Sequence, residues 1–271
     1  MENIRFFKGE KDNASELSAM ISNCFDVYVM DAFATAHRQS ASTYGAILEA
    51  KEACAGQLFS QEIKSLDSAL HNSENVLSIV GGSKVSTKLN VIKNLISNSS
   101  KVLVGGGIAN TFLKAAGYEV GISLVEDEMI DISRKLLETN KIILPKNVYV
   151  ANSTQDNSAE LVPVQDVNKN KMILDIELSE EVRSISNHNY IIWNGPLGIF
   201  EIEQFSNGTK QLINFLENSS SKVIAGGGET IYAISKFSDI KKFNYVSTAG
   251  GAFLEYLSGY RLPSIEALRL K

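Results

Sequence analysis

The stretch Ile79–Lys88, I-V-G-G-S-K-V-S-T-K, sets the reading of the whole chain. Its apolar run ends in Gly81 and Gly82, and Lys84 and Lys88 follow, four residues apart. A helix beginning at Lys84 places both ammonium groups on one face near its first turn. That end of a helix already favours an anion, through unpaired N–H groups and the positive end of the macrodipole. Side-chain-free glycines beside two flexible cations form a phosphate cradle, and a polyphosphate is the expected ligand. The spacing matches neither G-x-x-x-x-G-K-[ST] nor G-x-G-x-x-G. For this stretch alone, a solvated lysine face after a glycine turn is the competing reading.

The same arrangement recurs. Strand-like apolar runs end in glycines at Val102–Gly107 (V-L-V-G-G-G), Ile191–Gly198 (I-I-W-N-G-P-L-G), Val223–Gly228 (V-I-A-G-G-G) and Tyr245–Gly251 (Y-V-S-T-A-G-G). Each is short, rich in β-branched residues and apolar on both faces, as are strands of a parallel sheet covered by helices. Ligands of such sheets bind beyond the carboxyl ends of the strands, so the glycines are expected together on one ligand-facing rim.

At 271 residues and 44% hydrophobic, the chain has material for one large core or two modest ones. A net charge of −5 and the lack of any basic run argue against a nucleic-acid partner. No apolar stretch is long enough to span a bilayer and no signal-peptide pattern opens the chain, so a soluble, cytoplasmic protein without a membrane partner is expected. Cys24 and Cys54 fit no metal or redox spacing and are expected as buried reduced thiols.

In chain order, the first 55 residues carry a possible strand at Glu2–Phe7, a helix at Asn13–Cys24 and a clear strand at Val27–Phe33 (V-Y-V-M-D-A-F). His37 and Arg38 follow that strand end, on the ligand side. Arg5 and Arg38 each have a surface salt bridge as the alternative role. So few strands do not make an independent parallel domain, and the region reads as a piece of something larger. Gln61–His71 has Ile63, Leu66 and Leu70 at helical spacing and reads as a helix linking two regions. From Asn75 strands and helices alternate, as in a doubly wound α/β domain. Helices are expected at Lys84–Ser97, Ala109–Ala116, Glu126–Asn140, Glu203–Glu217 and Thr230–Phe237. Strands are expected at Ile142–Val150 and Met172–Ile176, with Ala151–Asn170 a surface hairpin or loop. Glu229 opens a helix after Gly226, Gly227 and Gly228, where it either complements the dipole or serves a magnesium ion beside phosphate. Glu201 is a candidate acceptor for ribose hydroxyls.

Together these motifs resemble the phosphoglycerate kinase family. The matching stretches are E-N-I-R-F (2–6), M-D-A-F-A-T-A-H-R (30–38), G-G-S-K-V-S-T-K (81–88), G-G-G-I-A-N-T-F (105–112), W-N-G-P-L-G-I-F-E (193–201), G-G-G-E-T (226–230) and G-G-A-F-L-E (250–255). They occur in family order over essentially the whole chain. The resemblance implies reversible phosphoryl transfer between 1,3-bisphosphoglycerate and ADP, giving 3-phosphoglycerate and ATP, with Mg2+ as cofactor. It implies an α/β fold, a doubly wound parallel sheet in a Rossmann-like nucleotide domain with a remnant of a second α/β domain. The expected divisions are 1–58 for the remnant of the acid-substrate domain, 59–73 for an interdomain helix, 74–250 for the nucleotide domain, and 251–271 for a segment returning toward the N-terminal domain. By the same resemblance Lys84 serves the transferring phosphoryl group, and Gly228, Gly250 and Gly251 supply backbone donors to the transition state. Lys88 and Asn194 contact nucleotide phosphates, with Gly82 and Gly227 in the turns beside them. Gly106 and Leu124 wall the adenine, Glu201 accepts from ribose, and Glu229 with Thr230 forms the metal and phosphate turn. Arg5 and Arg38 belong to the acid-substrate patch, with His37 beside them.

The chain departs from the family pattern in four ways. Most of the family's N-terminal domain has no counterpart upstream of Met1, so a weak or inactive kinase is expected, with a non-catalytic ADP/ATP-binding module as the alternative. Glu229 stands where aspartate is usual, and a displacement of about an ångström can cost around 10²-fold. Glu177 stands where the adenine pocket usually has glycine, and is expected to crowd or repel the base. Ala249 replaces the first of three glycines, which matters only if φ there is positive.

Overall fold

A computed structural model gives the fold and describes residues 3–70, 75–184 and 188–271. The chain divides into two compact units, Met1–Asp67 with Ser247–Lys271, and Ser68–Val246. No helix among the described residues is long and apolar enough to cross a membrane.

The smaller unit opens with α1 (Ser15–Ser22), β1 (Val27–Met30), α2 (Ala46–Glu49), β2 (Glu52–Ala55) and α3 (Gln57–Leu70), the last running into the second unit. β1 and β2 pair in parallel, from Val27 opposite Glu52 to Met30 opposite Ala55. Val27 and Val29 are exposed, so one side of this two-stranded sheet is uncovered. The strand expected at Glu2–Phe7 is instead a 3-10 turn over Ile4–Phe6, whose Arg5 N–H donates to the Asn3 side chain; Glu2 lies outside the described residues. The true second strand, E-A-C-A, lacks the β-branched and aromatic residues that mark a strand in sequence. The strand from Val27 stops at Met30, and Phe33 turns inward to meet the Phe59 ring edge-on at 5.6 Å. His71, the expected end of α3, lies outside the described residues. Both cysteines are exposed rather than buried, because Cys24 follows the end of α1 and Cys54 sits in the uncovered small sheet.

The larger unit follows as β3 (Val76–Val80), α4 (Val85–Asn98), β4 (Lys101–Val104), α5 (Gly106–Ala115), α6 (Ile130–Leu137), β5 (Ile142–Ile143), β6 (Asn147–Ala151), β7 (Glu160–Pro163), β8 (Met172–Ile176), α7 (Glu180–Ser184), β9 (Tyr190–Asn194), α8 (Asn207–Glu217), β10 (Lys222–Gly226), α9 (Gly228–Phe237) and β11 (Tyr245–Ser247). It is a doubly wound α/β fold. The main sheet has the order β11-β10-β9-β3-β4-β5, and the pairs from β10 to β5 are parallel. Every residue of the central strand β3 is buried, four of them apolar as a strand covered on both faces requires, and the hydroxyl of the fifth, Ser78, is paired with that of Ser99 at 2.7 Å. α4 turns Val85, Ile92 and Ile96 into the core at helical spacing. Trp193 is fully buried, and its indole N–H is satisfied by the Gly195 carbonyl at 2.8 Å. Burying a large apolar side chain contributes roughly 1.5–3 kcal/mol, so this core fixes the sheet.

One expectation is corrected here. Ile142–Val150 is not one strand: Pro145 has no N–H to donate, and the chain breaks there into β5 of the main sheet and β6 of another. That second sheet is antiparallel, of order β7-β6-β8, and the segment expected as a surface hairpin or loop supplies β7, hairpin-paired with β6.

After β11 the chain re-enters the smaller unit through α10 (Gly250–Leu257) and α11 (Pro263–Arg269). Ser264 ties α11 to the first part of the unit, its N–H donating to Ala36 O and its hydroxyl to Thr43 O. The Tyr256 hydroxyl donates to Asp67, and burial, with that carboxylate beside it, pushes the phenol well above its ordinary range.

Candidate functional site

Strand order locates the site in the larger unit. β3 continues outward on one side through β4 and β5, while β9, β10 and β11 lie on the other, so the sheet switches direction between β3 and β9. Crevices at such switch points, outside the carboxyl ends of strands, are the ligand sites of open α/β sheets. Here the two strand ends are sewn together, the Gly81 N–H donating to Asn194 O at 2.9 Å. A Cβ on Gly81 would stand 1.8 Å from the Pro196 carbonyl oxygen, so only glycine permits this approach.

A cavity of about 360 Å³ opens beside this seam. Gly82, Gly106, Leu124, Glu201 and Glu229 line it, all named from sequence. Its other wall is β8, from Met172 to Ile176, together with the turn from Pro196 to Ile199 and Thr154. The turn belongs to a strand–glycine run already placed on the ligand side, but β8 was missed as a wall in the sequence because M-I-L-D-I reads as a core strand and carries no ligand-binding signature.

The lysines are placed differently from the sequence expectation. Lys84 is not in the helix but caps it with extended backbone, and is exposed, so the two lysines do not share a helical face. Lys88 reaches back under the glycine turn and donates to Gly81 O at 2.6 Å. Burial lowers its amine to about 8, opposed by the nearby Glu229 carboxylate.

The N-terminus of α4, the expected phosphate cradle, holds a protein carboxylate. Glu126 accepts the Ser86 N–H at 2.9 Å and the Ser86 hydroxyl at 2.5 Å. Burial acts to raise this carboxyl, but the bonds from Ser86 and Val85 and the Lys84 charge prevail and hold it below its ordinary value. Sequence reasoning placed Glu126 at the start of its own helix and missed this contact; α-helix begins only at Ile130.

The N-terminus of α9 is arranged otherwise. Gly227 caps it at φ 100°, a conformation suited to glycine, and a Cβ there would meet the Asn194 amide at 2.6 Å. Gly228, the first helical residue, has ordinary φ and nothing within 4 Å of where a Cβ would stand. Thr230 is buried and accepts the Gly195 N–H at 2.8 Å. Asn194 is buried as well, its amide donating to Gly226 O at 2.7 Å while its Oδ1 has no protein partner. These residues join the glycine turns after β9 and β10. Lys84, Lys88, Asn194, Gly227, Gly228 and Thr230 stand outside the cavity wall proper.

The departures at Glu177 and Ala249 are accommodated. Glu177 is not in the cavity wall, because the Asn147 amide holds its carboxylate at 2.8 Å. Ala249 has φ −91°, so no glycine is needed there. Asp175, by contrast, is in the wall and fully buried. Burial pushes its carboxyl up to about 7, against the pull of Gly208, Ile176 and Asn207 N–H groups and the Lys210 charge. It closes the N-terminus of α8, its Oδ2 accepting the Gly208 N–H at 2.8 Å.

In the smaller unit, Arg5 is exposed on the 3-10 turn and Arg38 is half-buried after β1. Neither guanidinium has a carboxylate partner among the described residues. The His37 ring lies against the start of α10, 3.1 Å from where a Cβ on Gly251 would stand, and its Nδ1 is buried without a partner. Gly250, like Gly228, has nothing within 4 Å.

A doubly wound parallel sheet with glycine turns and a half-buried lysine gathered at its switch point places the chain among the doubly wound α/β proteins. Comparison with known proteins narrows this. The profile for "Phosphoglycerate kinase" matches residues 1–260. A phosphoglycerate kinase of Francisella philomiragia is 46% identical over 280 residues, covering 100% of this chain and 71% of its own length. The structure of phosphoglycerate kinase from Coxiella burnetii superposes with a TM-score of 0.93 at 43% identity, over 99% of this chain and 72% of the other. That of Pyrococcus horikoshii OT3 gives 0.82 at 28% identity, over 99% and 71%. The chain belongs to the phosphoglycerate kinase family, and spans about 71% of the length of these relatives.

Proposed function

We propose that the cavity beside β3 and β9 binds ADP or ATP with Mg2+, and that the chain carries the nucleotide side of reversible phosphoryl transfer between 1,3-bisphosphoglycerate and ADP. The observation that carries this is Gly228. The fold does not need a glycine there, yet the residue stands at an open helix N-terminus next to Glu229 of the cavity wall. A ligand phosphate against the backbone N–H groups gives the missing side chain a purpose.

In this reading Leu124 and Gly106 flank the base, Glu201 accepts from the ribose, and Gly82, Lys88 and Asn194 meet the phosphates. Lys84, with a backbone donor at Gly228, stabilises the transferring group. Phosphoryl transfer leaves the protein little covalent work, so positioning and charge stabilisation do most of it. Lys88, held beneath the turn, contributes a fixed cation. The donor set suits magnesium, since this ion is commonly held by one or two carboxylates plus substrate phosphates and the cavity wall carries the Glu229 carboxylate. Glu229 is the carboxylate that would hold it, and the ion would neutralise charge on the phosphates. Arg5 and Arg38 would grip the acid substrate within a domain remnant of residues 1–58. Residues 59–73 would be the connecting segment, of which 59–70 lie in α3 and 71–73 outside the described residues, with 74–250 the nucleotide domain and 251–271 the returning segment.

The test is calorimetric titration of the 271-residue chain with Mg-ADP, followed by a coupled assay with 3-phosphoglycerate and ATP. Saturable binding that is lost in Gly228→Ala supports the site, and no binding by a folded sample overturns it. Binding with turnover identifies a working kinase. Binding without turnover identifies an ADP/ATP-binding module.

A further inference from the structure

The carboxylate that closes α4 belongs to a segment that also forms part of the cavity wall. Glu126 receives two hydrogen bonds from Ser86, one residue past the start of α4. Its own N–H donates to Thr111 Oγ1 at 3.2 Å, and that hydroxyl donates to Gly107 O at 3.1 Å. Two residues earlier, Leu124 lines the cavity, its methyl 3.2 Å from where a Cβ on Gly107 would stand. Ser123 Oγ accepts the Ile173 N–H of β8 at 2.8 Å. Ile122 and Leu124 are both exposed, so polar ties rather than apolar burial fix this segment. The strongest tie is the charge-assisted pair to Ser86.

We propose that Glu126 is a positioning residue of the nucleotide site, holding the Leu124 wall and the Lys84 turn in one geometry so that a nucleoside diphosphate meets both together. This rests on the reading of the cavity as a nucleotide site. Ser86 is two residues from Lys84 and Glu126 two residues from Leu124, so their hydrogen bonds link the phosphate side to the base side. A carboxylate that repelled phosphate from α4 would carry the opposite sign in Mg-ADP affinity.

Calorimetry of the full chain with adenosine and with Mg-ADP separates these. Glu126→Ala is expected to weaken both ligands alike, by about 10-fold, the scale of one lost charge-assisted hydrogen bond. Glu126→Gln, which keeps an acceptor for Ser86, should retain part of that affinity. Leu124→Ala should weaken adenosine in the parent chain yet add little in the Glu126→Ala background. Tighter Mg-ADP binding in Glu126→Ala, a loss confined to Mg-ADP, or full additivity with Leu124→Ala each overturns the proposal. Failure of the unaltered chain to bind either ligand overturns the cavity reading itself, and is distinguished by needing no variant.

Discussion

Gly228 and Gly250 each open a helix with ordinary backbone angles and no neighbour within Cβ reach. For folding alone, alanine at Gly228 is an improvement, worth roughly 0.4–1 kcal/mol through the unfolded chain. Gly228→Ala should therefore melt at or above the temperature of the parent while losing at least about 10-fold in Mg-ADP affinity, the scale of one lost charge-assisted contact. A melting scan beside a titration reads both, and unchanged affinity would remove Gly228 from the site. Lys88 gives a second prediction at this scale. Burial brings its amine to about 8, and a polyphosphate alongside would restore the charged form. Binding of Mg-ADP at pH 8 should then take up a fraction of a proton, seen as an enthalpy that varies with the buffer's ionisation heat. The uptake should vanish at pH 6 and in Lys88→Met.

Helix starts show how far local pattern reaches. The sequence showed two, at α4 and α9, each preceded by glycines and each a candidate phosphate seat. Only α9 is open, because Glu126 closes α4 from 40 residues further along the chain, a contact no local spacing encodes. α10 adds a third case. Gly251 resembles Gly228 in sequence, but a Cβ there would press on the His37 ring at 3.1–3.2 Å. If that ring is what requires the glycine, Gly251→Ala should lower the melting temperature by a few degrees, and His37→Ala should relieve the loss in the double variant. Equal losses in single and double variants would show that something other than the ring selects glycine. Strand–glycine turns were legible because burial on both faces leaves a continuous apolar run. β2 was not, since four small or polar residues carry no such mark.

Stability of the whole chain should carry the signature of Asp175. Its folded carboxyl titrates near 7, against 3.8 for an ordinary aspartate, because burial outweighs the N–H groups that face it. Below about pH 4 both folded and unfolded forms hold the proton. As pH rises toward 7 the unfolded chain releases it first, so the stability contributed by this group falls across that window and then levels. Asp175→Asn removes the titration and one of two acceptors. Denaturant unfolding from pH 4 to 7 should therefore show a constant offset plus a relative gain for the variant as pH rises. Parallel curves would mean that Asp175 is not held protonated.

The sequence by itself determined the parallel doubly wound sheet, the rim of glycine turns and the family. All three rest on period, apolar continuity and backbone freedom, which are properties of residues close together in the chain. Tertiary structure decided which helix N-terminus is free, that Lys84 caps rather than continues its helix, and that an antiparallel sheet supplies the cavity's other wall. It also turned the Glu177 side chain away to Asn147. A donor is free or filled only according to what packs against it, and such partners lie tens of residues away in sequence.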